Sequence, residues 1–309
     1  MRDISRALGR PAGMRLRRVG LWLGRHTYTL MIVPAAVTIV LIILFPLVYT
    51  LWMGVHEYSM GGNAPPRFIG FANYLEAFQS RRFLEAIPRT FYFTLLAVAA
   101  PTAIGTAAAL AFAQEFPGRG WLRTVFSLPM MATPVSIALI WQMMFHPQLG
   151  VLNYLLSLVH ISPQPWIFST RSVVPTLAIV ETWQWAPFVM LIVLGGLAAL
   201  PVEPYEAALI DGASRLQTIR YVTIPLVWPY IMVALLLRAI DALKAFDIIY
   251  VMTQGGPGTA SETLNIFLYL QAFAFYNIGL SSAVVVIYFL ILLVMSIGLL
   301  VARQKTSWQ

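Results

Sequence analysis

Long runs of apolar residues, separated by short polar segments, dominate this 309-residue sequence. A helix needs about 20 largely apolar residues to cross the hydrocarbon core of a bilayer. Six stretches meet that requirement, at approximately 30–53, 88–113, 122–146, 172–198, 226–252 and 277–302. The sequence therefore predicts an all-α, polytopic membrane protein with six transmembrane helices, a transmembrane domain over 30–302 and a short tail over 303–309.

The composition excludes a soluble globular protein. Hydrophobic residues make up 59% of the chain and charged residues only 10%, whereas soluble domains are about 25% charged. Membrane lipid is therefore the expected surrounding. The chain has no cysteine, which excludes disulfides, thiolate metal sites and cysteine nucleophiles.

Basic residues cluster at the N-terminus. Seven arginines precede residue 26, namely Arg2, Arg6, Arg10, Arg15, Arg17, Arg18 and Arg25. A basic segment over 1–29, followed directly by an apolar run, is typical of a cytoplasmic flank facing anionic lipid rather than of a nucleic-acid-binding surface. The run over 30–53 is too long for the core of a secretory signal, so we interpret it as a retained first span.

The distribution of lysine and arginine predicts the orientation, because cytoplasmic loops carry an excess of both residues. With a cytoplasmic N-terminus, thirteen of the twenty lie on that side and five on the other, while Arg238 and Lys244 lie within a span. The thirteen are the seven N-terminal arginines with Arg119, Arg123, Arg215, Arg220, Arg303 and Lys305; the five are Arg67, Arg81, Arg82, Arg89 and Arg171. Both termini are therefore predicted to be cytoplasmic.

The polar segment over 201–225 has the pattern of two short helices. Gly212 frees the backbone at the predicted break, and Asp211 can cap the helix that follows. Pro225 is expected to close the segment before the fifth span. This segment resembles the EAA loop of ABC-importer permeases, in which E-A-A is followed by D-G-A and, further on, by I-P. The matching residues are Glu206, Ala207, Ala208, Asp211, Gly212, Ala213 and Pro225.

The resemblance extends over nearly the whole chain and is specific to carbohydrate permeases of the maltose-transporter type. It includes Lys244 to Gly258, Glu262 to Leu264, Trp183 with Pro187, and Phe45 to Tyr49. It implies an inner-membrane subunit of a bacterial importer, with the EAA loop docking on an ATPase. The implied partners are a second homologous permease, two ATP-binding cassette subunits and an extracellular sugar-binding protein.

The chain lacks the residues of an ATPase. A phosphate-binding P-loop ends in Gly-Lys-Ser/Thr, because backbone amides and the lysine hold the phosphates. Only Lys244 and Lys305 are present, and neither follows a glycine. We therefore expect no catalytic residue, cofactor or metal in this chain, and expect ATP and Mg²⁺ to bind a partner ATPase.

Charged residues within spans are candidates for function, because placing them in a membrane is costly. Glu181 lies in the fourth predicted span, and Arg238, Asp241, Lys244 and Asp247 lie in the fifth. Arg238 and Asp241, three residues apart, can pair. These charges either contact substrate or only stabilise the bundle.

The resemblance to the maltose permease places the sugar contacts on the fourth and fifth spans. The positions that match are Glu181, Gln184, Trp185, Phe188, Arg238, Asp241, Ala242 and Ala245. Carboxylate and guanidinium groups bind hydroxyls, and aromatic rings stack on the apolar face of a sugar. Most residue types differ from the maltose permease, so a polyol, glycerol phosphate or an anionic sugar derivative are alternative substrates.

Two other classes of protein remain alternatives. An ion-coupled secondary transporter would also have several spans and buried charges, but it would not need an EAA loop. An intramembrane enzyme would need a catalytic motif. The four histidines, His26, His56, His146 and His160, form no HExxH motif, and we interpret them as loop or interfacial residues.

Overall fold

A computed structural model describes residues 31–62 and 64–306, and this part of the chain is mostly helical. In chain order the helices are α1 (Met31–Gly54), α2 (Ala72–Gln79), α3 (Arg81–Phe112), α4 (Arg119–Ser127), α5 (Pro134–Met144), α6 (Val151–Leu158), α7 (Val173–Ala198), α8 (Glu203–Ile210), α9 (Arg215–Leu243), α10 (Asp247–Thr253), α11 (Leu264–Phe273) and α12 (Ile278–Thr306). A two-stranded antiparallel hairpin, β1 (His56–Glu57) and β2 (Arg67–Phe68), follows α1.

Five helices within the described residues are long and apolar enough to cross a membrane: α1, α3, α7, α9 and α12. A sixth crossing is present if α4 and α5 are counted as one bent span. The spans predicted over 30–53 and 172–198 agree with α1 and α7 to within one residue at each end. The prediction of an all-α, polytopic membrane protein is confirmed.

The third predicted span, over 122–146, is broken rather than continuous. The chain bends by 99° between a segment that ends at Met131 and α5. Thr133 is extended, as expected for a residue that precedes proline, and Pro134 opens α5. The hydroxyl of Thr133 accepts a hydrogen bond from the backbone N–H of Ser136 at 3.4 Å and caps the new helix. We call residues 132–134 the elbow.

The fifth predicted span, over 226–252, is also wrong in its bounds. Helix α9 begins at Arg215 and ends at Leu243, and residues 244–246 separate it from α10. The hydroxyl of Tyr288 donates to the carbonyl of Leu243, and the side-chain amide of Asn265 donates to the carbonyl of Lys244 at 2.8 Å. Partners from α11 and α12 therefore satisfy carbonyls that the end of the helix leaves free.

Two other predicted spans have shifted ends. The second, predicted over 88–113, begins earlier, because Ser80 caps α3 and the helix starts at Arg81. The last, predicted over 277–302, continues to Thr306. The predicted basic segment 1–29 lies outside the described residues, as do residues 307–309 of the predicted tail.

The centre of the bundle is formed by α3, α7 and α9, which pack against one another. Gly105 allows the closest approach: a Cβ atom at this position would lie 2.5 Å from the carbonyl oxygen of Ala186. Similarly, a Cβ atom at Gly196 would lie 2.3 Å from the ring of Tyr230. Small residues permit such close helix packing in membrane proteins. The three helices therefore form a tightly packed frame for the side chains described below.

Helix α1 lies at the edge of this frame and packs mainly on α12. Most of its apolar side chains are exposed, including Leu41, Ile42 and Phe45. A stripe of this kind is unfavourable in water and favourable against lipid or another apolar chain. The exposed surface of α1 is therefore suited to a membrane environment.

Candidate functional site

A small cavity of about 140 Å³ lies where α7 faces the end of α9 and the start of α10. Its lining residues are Pro134, Glu181, Gln184, Trp185, Asp241, Lys244, Ala245, Phe246, Asp247 and Ile248. Five of the eight predicted substrate-binding residues are among them, namely Glu181, Gln184, Trp185, Asp241 and Ala245. The structure therefore brings together the polar residues that the sequence had placed on two separate spans.

Arg238 lies directly behind the cavity and binds two carboxylates. Its Nη2 donates to Oε2 of Glu181 at 2.9 Å, and its Nη1 donates to Oδ2 of Asp241 at 2.7 Å. The guanidinium carbon also lies 4.8 Å from the ring centroid of Trp185. The predicted pairing of Arg238 with Asp241 is confirmed, and the bridge to Glu181 additionally connects α9 to α7.

The exposed fractions of these side chains differ sharply. Arg238 is 1% exposed and Glu181 is 7% exposed, whereas Asp241 is 54% exposed. A buried ion pair is stable only when both charges are compensated, because desolvation of each ion is costly. Asp241 therefore contacts the cavity, while Arg238 serves as the buried counter-ion of two acids.

Three predicted substrate-binding residues do not reach the cavity. Arg238 is buried behind it, and Ala242 is 2% exposed and packs in the apolar core. Phe188 packs with the apolar cluster between α7 and α9, with its ring 6.1 Å from that of Trp185. None of the three lines the cavity: Arg238 and Ala242 are buried, and Phe188 is half-buried.

Five residues of the cavity wall were absent from the predicted set: Pro134, Lys244, Phe246, Asp247 and Ile248. The sequence had marked Lys244 and Asp247 only as charges within a span. The break after Leu243 turns both residues toward α7. Pro134 comes from the elbow, where the amide of Gln184 donates to the carbonyl of Ala132 at 3.3 Å. The elbow thus supplies part of the wall.

The EAA loop over 201–225 contains the predicted break between two helices. Helix α8 ends at Ile210, and Gly212 adopts a left-handed conformation with φ of +70°. The predicted cap was wrong: Asp211 ends α8, whereas Ser214 caps α9 in a reciprocal capping box with Gln217. Pro225 does not close the segment either, since it lies within the continuous α9, just after a π-helical turn over Ile219–Thr223.

Much of the surface of the EAA loop is exposed. Among the matching residues, Glu206, Ala207, Asp211, Gly212 and Pro225 are exposed, Ala213 is half-buried and Ala208 is buried. Three large apolar side chains of the loop, Leu209, Ile210 and Leu216, are 79%, 86% and 74% exposed. An exposed apolar patch rimmed by polar residues is typical of a protein interaction site.

The EAA loop is attached firmly to the bundle. It joins α7 to α9, the same two helices that the Glu181–Arg238 bridge connects roughly 26 Å away along α7. The guanidinium of Arg215 donates to the side-chain carbonyl of Gln114, just beyond the end of α3. The buried methyl group of Ala208 further anchors α8. The loop is therefore continuous in sequence with α7 and α9, two of the helices that form the cavity, and is held against the end of α3.

The sequence of this chain matches that of a known family. Residues 101–307 match the profile of the family described as the binding-protein-dependent transport system inner membrane component. The chain belongs to this family. Its members are transport subunits of the membrane, in agreement with the helical bundle and with the sequence prediction of an ABC-importer permease.

Relatives of the chain include several family members with named cargoes. It is 36% identical over 267 residues to the trehalose/maltose transport system permease protein MalF of Thermococcus litoralis, covering 85% of this chain and 89% of that one. It is 33% identical over 306 residues to the sulfoquinovosyl glycerol transport system permease protein SmoG of Agrobacterium fabrum, covering 97% and 99%.

Solved structures of ABC transporters contain chains with the same fold as this protein. A chain of a bacterial ABC transporter that imports the acidic polysaccharide alginate matches with a TM-score of 0.82 and 21% identity, covering 94% of this chain and 100% of that one. The same fold occurs in that transporter in complex with an alginate pentasaccharide-bound periplasmic protein, also with a TM-score of 0.82. The family fold is therefore that of an ABC-importer permease.

Proposed function

We propose that this chain forms half of the pathway by which an ATP-driven importer moves a sugar across the membrane. The observation that carries the proposal is the EAA loop, an exposed apolar surface connected directly to the two helices that line the polar cavity. In this proposal the loop over 201–225 binds an ATPase subunit. The chain itself catalyses no reaction, and ATP with Mg²⁺ is bound by the ATPase.

A complete importer would contain further chains. We infer two ATP-binding cassette subunits, a second homologous permease that supplies the other half of the pathway, and an extracellular binding protein that delivers the sugar. The alginate importer, whose chain has the same fold, is known in complex with a periplasmic binding protein. The exposed apolar face of α1 is available for lipid or for the second permease.

A sugar is the proposed cargo for two reasons. Relatives that align over most of the chain are named as permeases for trehalose, maltose and sulfoquinovosyl glycerol. The cavity also combines carboxylate, amide and amine groups with the rings of Trp185 and Phe246. Hydroxyl groups bind to such polar groups, and the apolar face of a sugar ring packs on aromatic carbon.

The proposed location is the inner membrane of a bacterial cell, with both termini cytoplasmic. Support comes from the excess of lysine and arginine on the side of the N-terminus. This orientation places the EAA loop on the cytoplasmic side, where ATP is available. An assay that supplies ATP only on the side of the EAA loop therefore tests both the energy source and the orientation.

The proposal is tested by co-expressing this chain with the ATPase, the second permease and the binding protein of the same organism. The ATPase is expected to co-purify with a tag on this chain. In proteoliposomes, ATP hydrolysis is expected to rise several-fold when the binding protein loaded with trehalose or maltose is added on the face opposite the EAA loop. Purification of the chain without any ATPase from such cells would contradict the proposal.

A further inference from the structure

We propose that the cavity wall of this chain selects neutral, hydroxyl-rich sugars and rejects sugars that carry a carboxylate, sulfonate or phosphate. The inference rests on the proposed function and narrows its substrate class. Three features of the site support it: Arg238 is already paired with two acids, acids outnumber cations, and the exposed polar groups of the wall are mainly hydrogen-bond acceptors.

Arg238, one of the predicted substrate-binding residues, already binds two carboxylates; its buried Nε has no hydrogen-bond partner among the described residues. Both terminal nitrogens donate to carboxylates, and Nη2 also lies 3.4 Å from the carbonyl oxygen of Ala97. The ring of Trp185 lies against the guanidinium, and the side chain is 1% exposed. An anionic ligand would have to compete with the exposed carboxylate of Asp241 or displace Glu181, which would leave that buried acid without its counter-ion.

The remaining charges give an anion little attraction. Lys244 is the cation that lines the cavity itself, and it is accompanied on the same wall by Asp241 and Asp247. Lys244 and Asp247 are exposed, and neither forms an ion pair with any residue in 31–62 or 64–306. Among the described residues of the site, the acids Glu181, Asp241 and Asp247 outnumber the cations Arg238 and Lys244 by one, so the net charge opposes the entry of an anion.

The hydrogen-bonding groups of the wall favour a ligand that donates hydrogen bonds. The side-chain oxygen of Gln184 is buried and has no partner among the described residues. Its amide nitrogen faces the carbonyl of Ala132, so exchanging the two ends of the amide would set acceptor against acceptor. Asp241 and Asp247 add further acceptors. A sugar hydroxyl can donate to the exposed carboxylates of Asp241 and Asp247, whereas an ionised acid group can only accept.

The size of the cavity and its accessible acceptors suit the hydroxyl groups of a sugar. The cavity has room for about four or five waters at the volume of liquid water, so it can accommodate hydroxyl groups on one edge of a sugar ring. The exposed carboxylates of Asp241 and Asp247 therefore make the wall a site for O–H donors.

The test uses the absence of cysteine from this chain. In the full importer complex, Ala245→Cys places one thiol on the cavity wall, and the rate of its modification by a maleimide is measured by mass spectrometry of this chain. Trehalose and maltose are the neutral probes; glucuronic acid and sulfoquinovosyl glycerol are the anionic probes. At least one neutral sugar is expected to slow modification, and neither anionic sugar should do so. Modification of Glu76→Cys, on exposed α2, should not respond to any probe.

Two further variants test whether the residues of the cavity wall cause the selection of neutral sugars. Asp247→Ala removes one exposed carboxylate of the wall and is expected to weaken protection by the neutral sugar about five-fold, the effect of one hydrogen bond of about 1 kcal/mol. Replacing Asp241 and Asp247 together by asparagine is expected to let glucuronic acid protect the thiol.

The outcomes distinguish this inference from the proposed function. Equal protection by neutral and anionic sugars, or protection by anionic sugars alone, would overturn the charge selection. Absence of protection by any probe would also overturn it, because the wall would then not bind sugar. In either case, ATP-dependent sugar uptake by the same complex would leave the proposed function standing.

Discussion

Replacing Arg238 by methionine is expected to lower the free energy of unfolding of this chain by about 3–5 kcal/mol. Methionine retains most of the side-chain volume but leaves Glu181 buried without a counter-ion. Glu181 is 7% exposed and its carboxylate receives its hydrogen bond from Arg238. The expected result is a lower melting temperature in detergent and a loss of the monodisperse chain.

Two control variants separate charge from packing. Asp241→Asn removes the charge of the other acid that Arg238 binds but keeps an oxygen that can accept from Nη1, and the side chain is 54% exposed, so a loss below about 1 kcal/mol is expected. The double variant Glu181→Gln with Arg238→Met removes both charges and should recover most of the stability. A single Arg238→Met variant as stable as the wild type would contradict the assignment of Arg238 as a buried counter-ion.

Changes in the EAA loop are expected to abolish transport while leaving the chain folded. Glu206→Lys reverses a charge in the first turn of α8, on the exposed surface beside Leu209 and Ile210. Lysine is also unfavourable near the positive end of a helix. We expect a loss of about tenfold or more in affinity for the ATPase, equivalent to about 1.4 kcal/mol, and loss of ATP-dependent uptake. Co-purification and uptake assays measure the two effects.

Gly212 provides a second test of the same loop. Its φ of +70° is unfavourable for residues with a Cβ atom, and valine is among the least tolerant, whereas asparagine adopts this conformation more readily. Gly212→Val should therefore uncouple uptake from ATP hydrolysis, and Gly212→Asn should retain most of the coupling. Glu76→Lys, the same reversal of charge on α2, should leave both activities unchanged. Normal coupled uptake in both Glu206→Lys and Gly212→Val would exclude the docking role.

The long helices could be predicted from sequence because a bilayer imposes one requirement on every span. The break at Gly212 could also be predicted, since only the local sequence determines it. The capping residue was missed although its signal was present: Ser214 and Gln217 have the spacing of a capping box. The elbow at Pro134 had a comparable signal in the two prolines, Pro129 and Pro134.

Other features depend on contacts between distant parts of the chain. The end of α9 at Leu243 relies on hydrogen bonds from Asn265 and Tyr288, which no local pattern reveals. That end turns Lys244 and Asp247 toward α7 and places them on the cavity wall. Conversely, Phe188 and Ala242 lie on the predicted helices but face the apolar core. The sequence thus predicted which helices form the site better than which side chains line it.

The energy source of uptake tests the central claim most directly. The full complex is reconstituted in proteoliposomes, and uptake of radiolabelled trehalose or maltose is measured with ATP on the side of the EAA loop, and separately with a proton or sodium gradient and no ATP. Uptake is expected only with ATP, the ATPase and the binding protein together, and it should disappear with Glu206→Lys. Uptake that persists without the ATPase and follows the ion gradient would contradict the account and identify a secondary transporter.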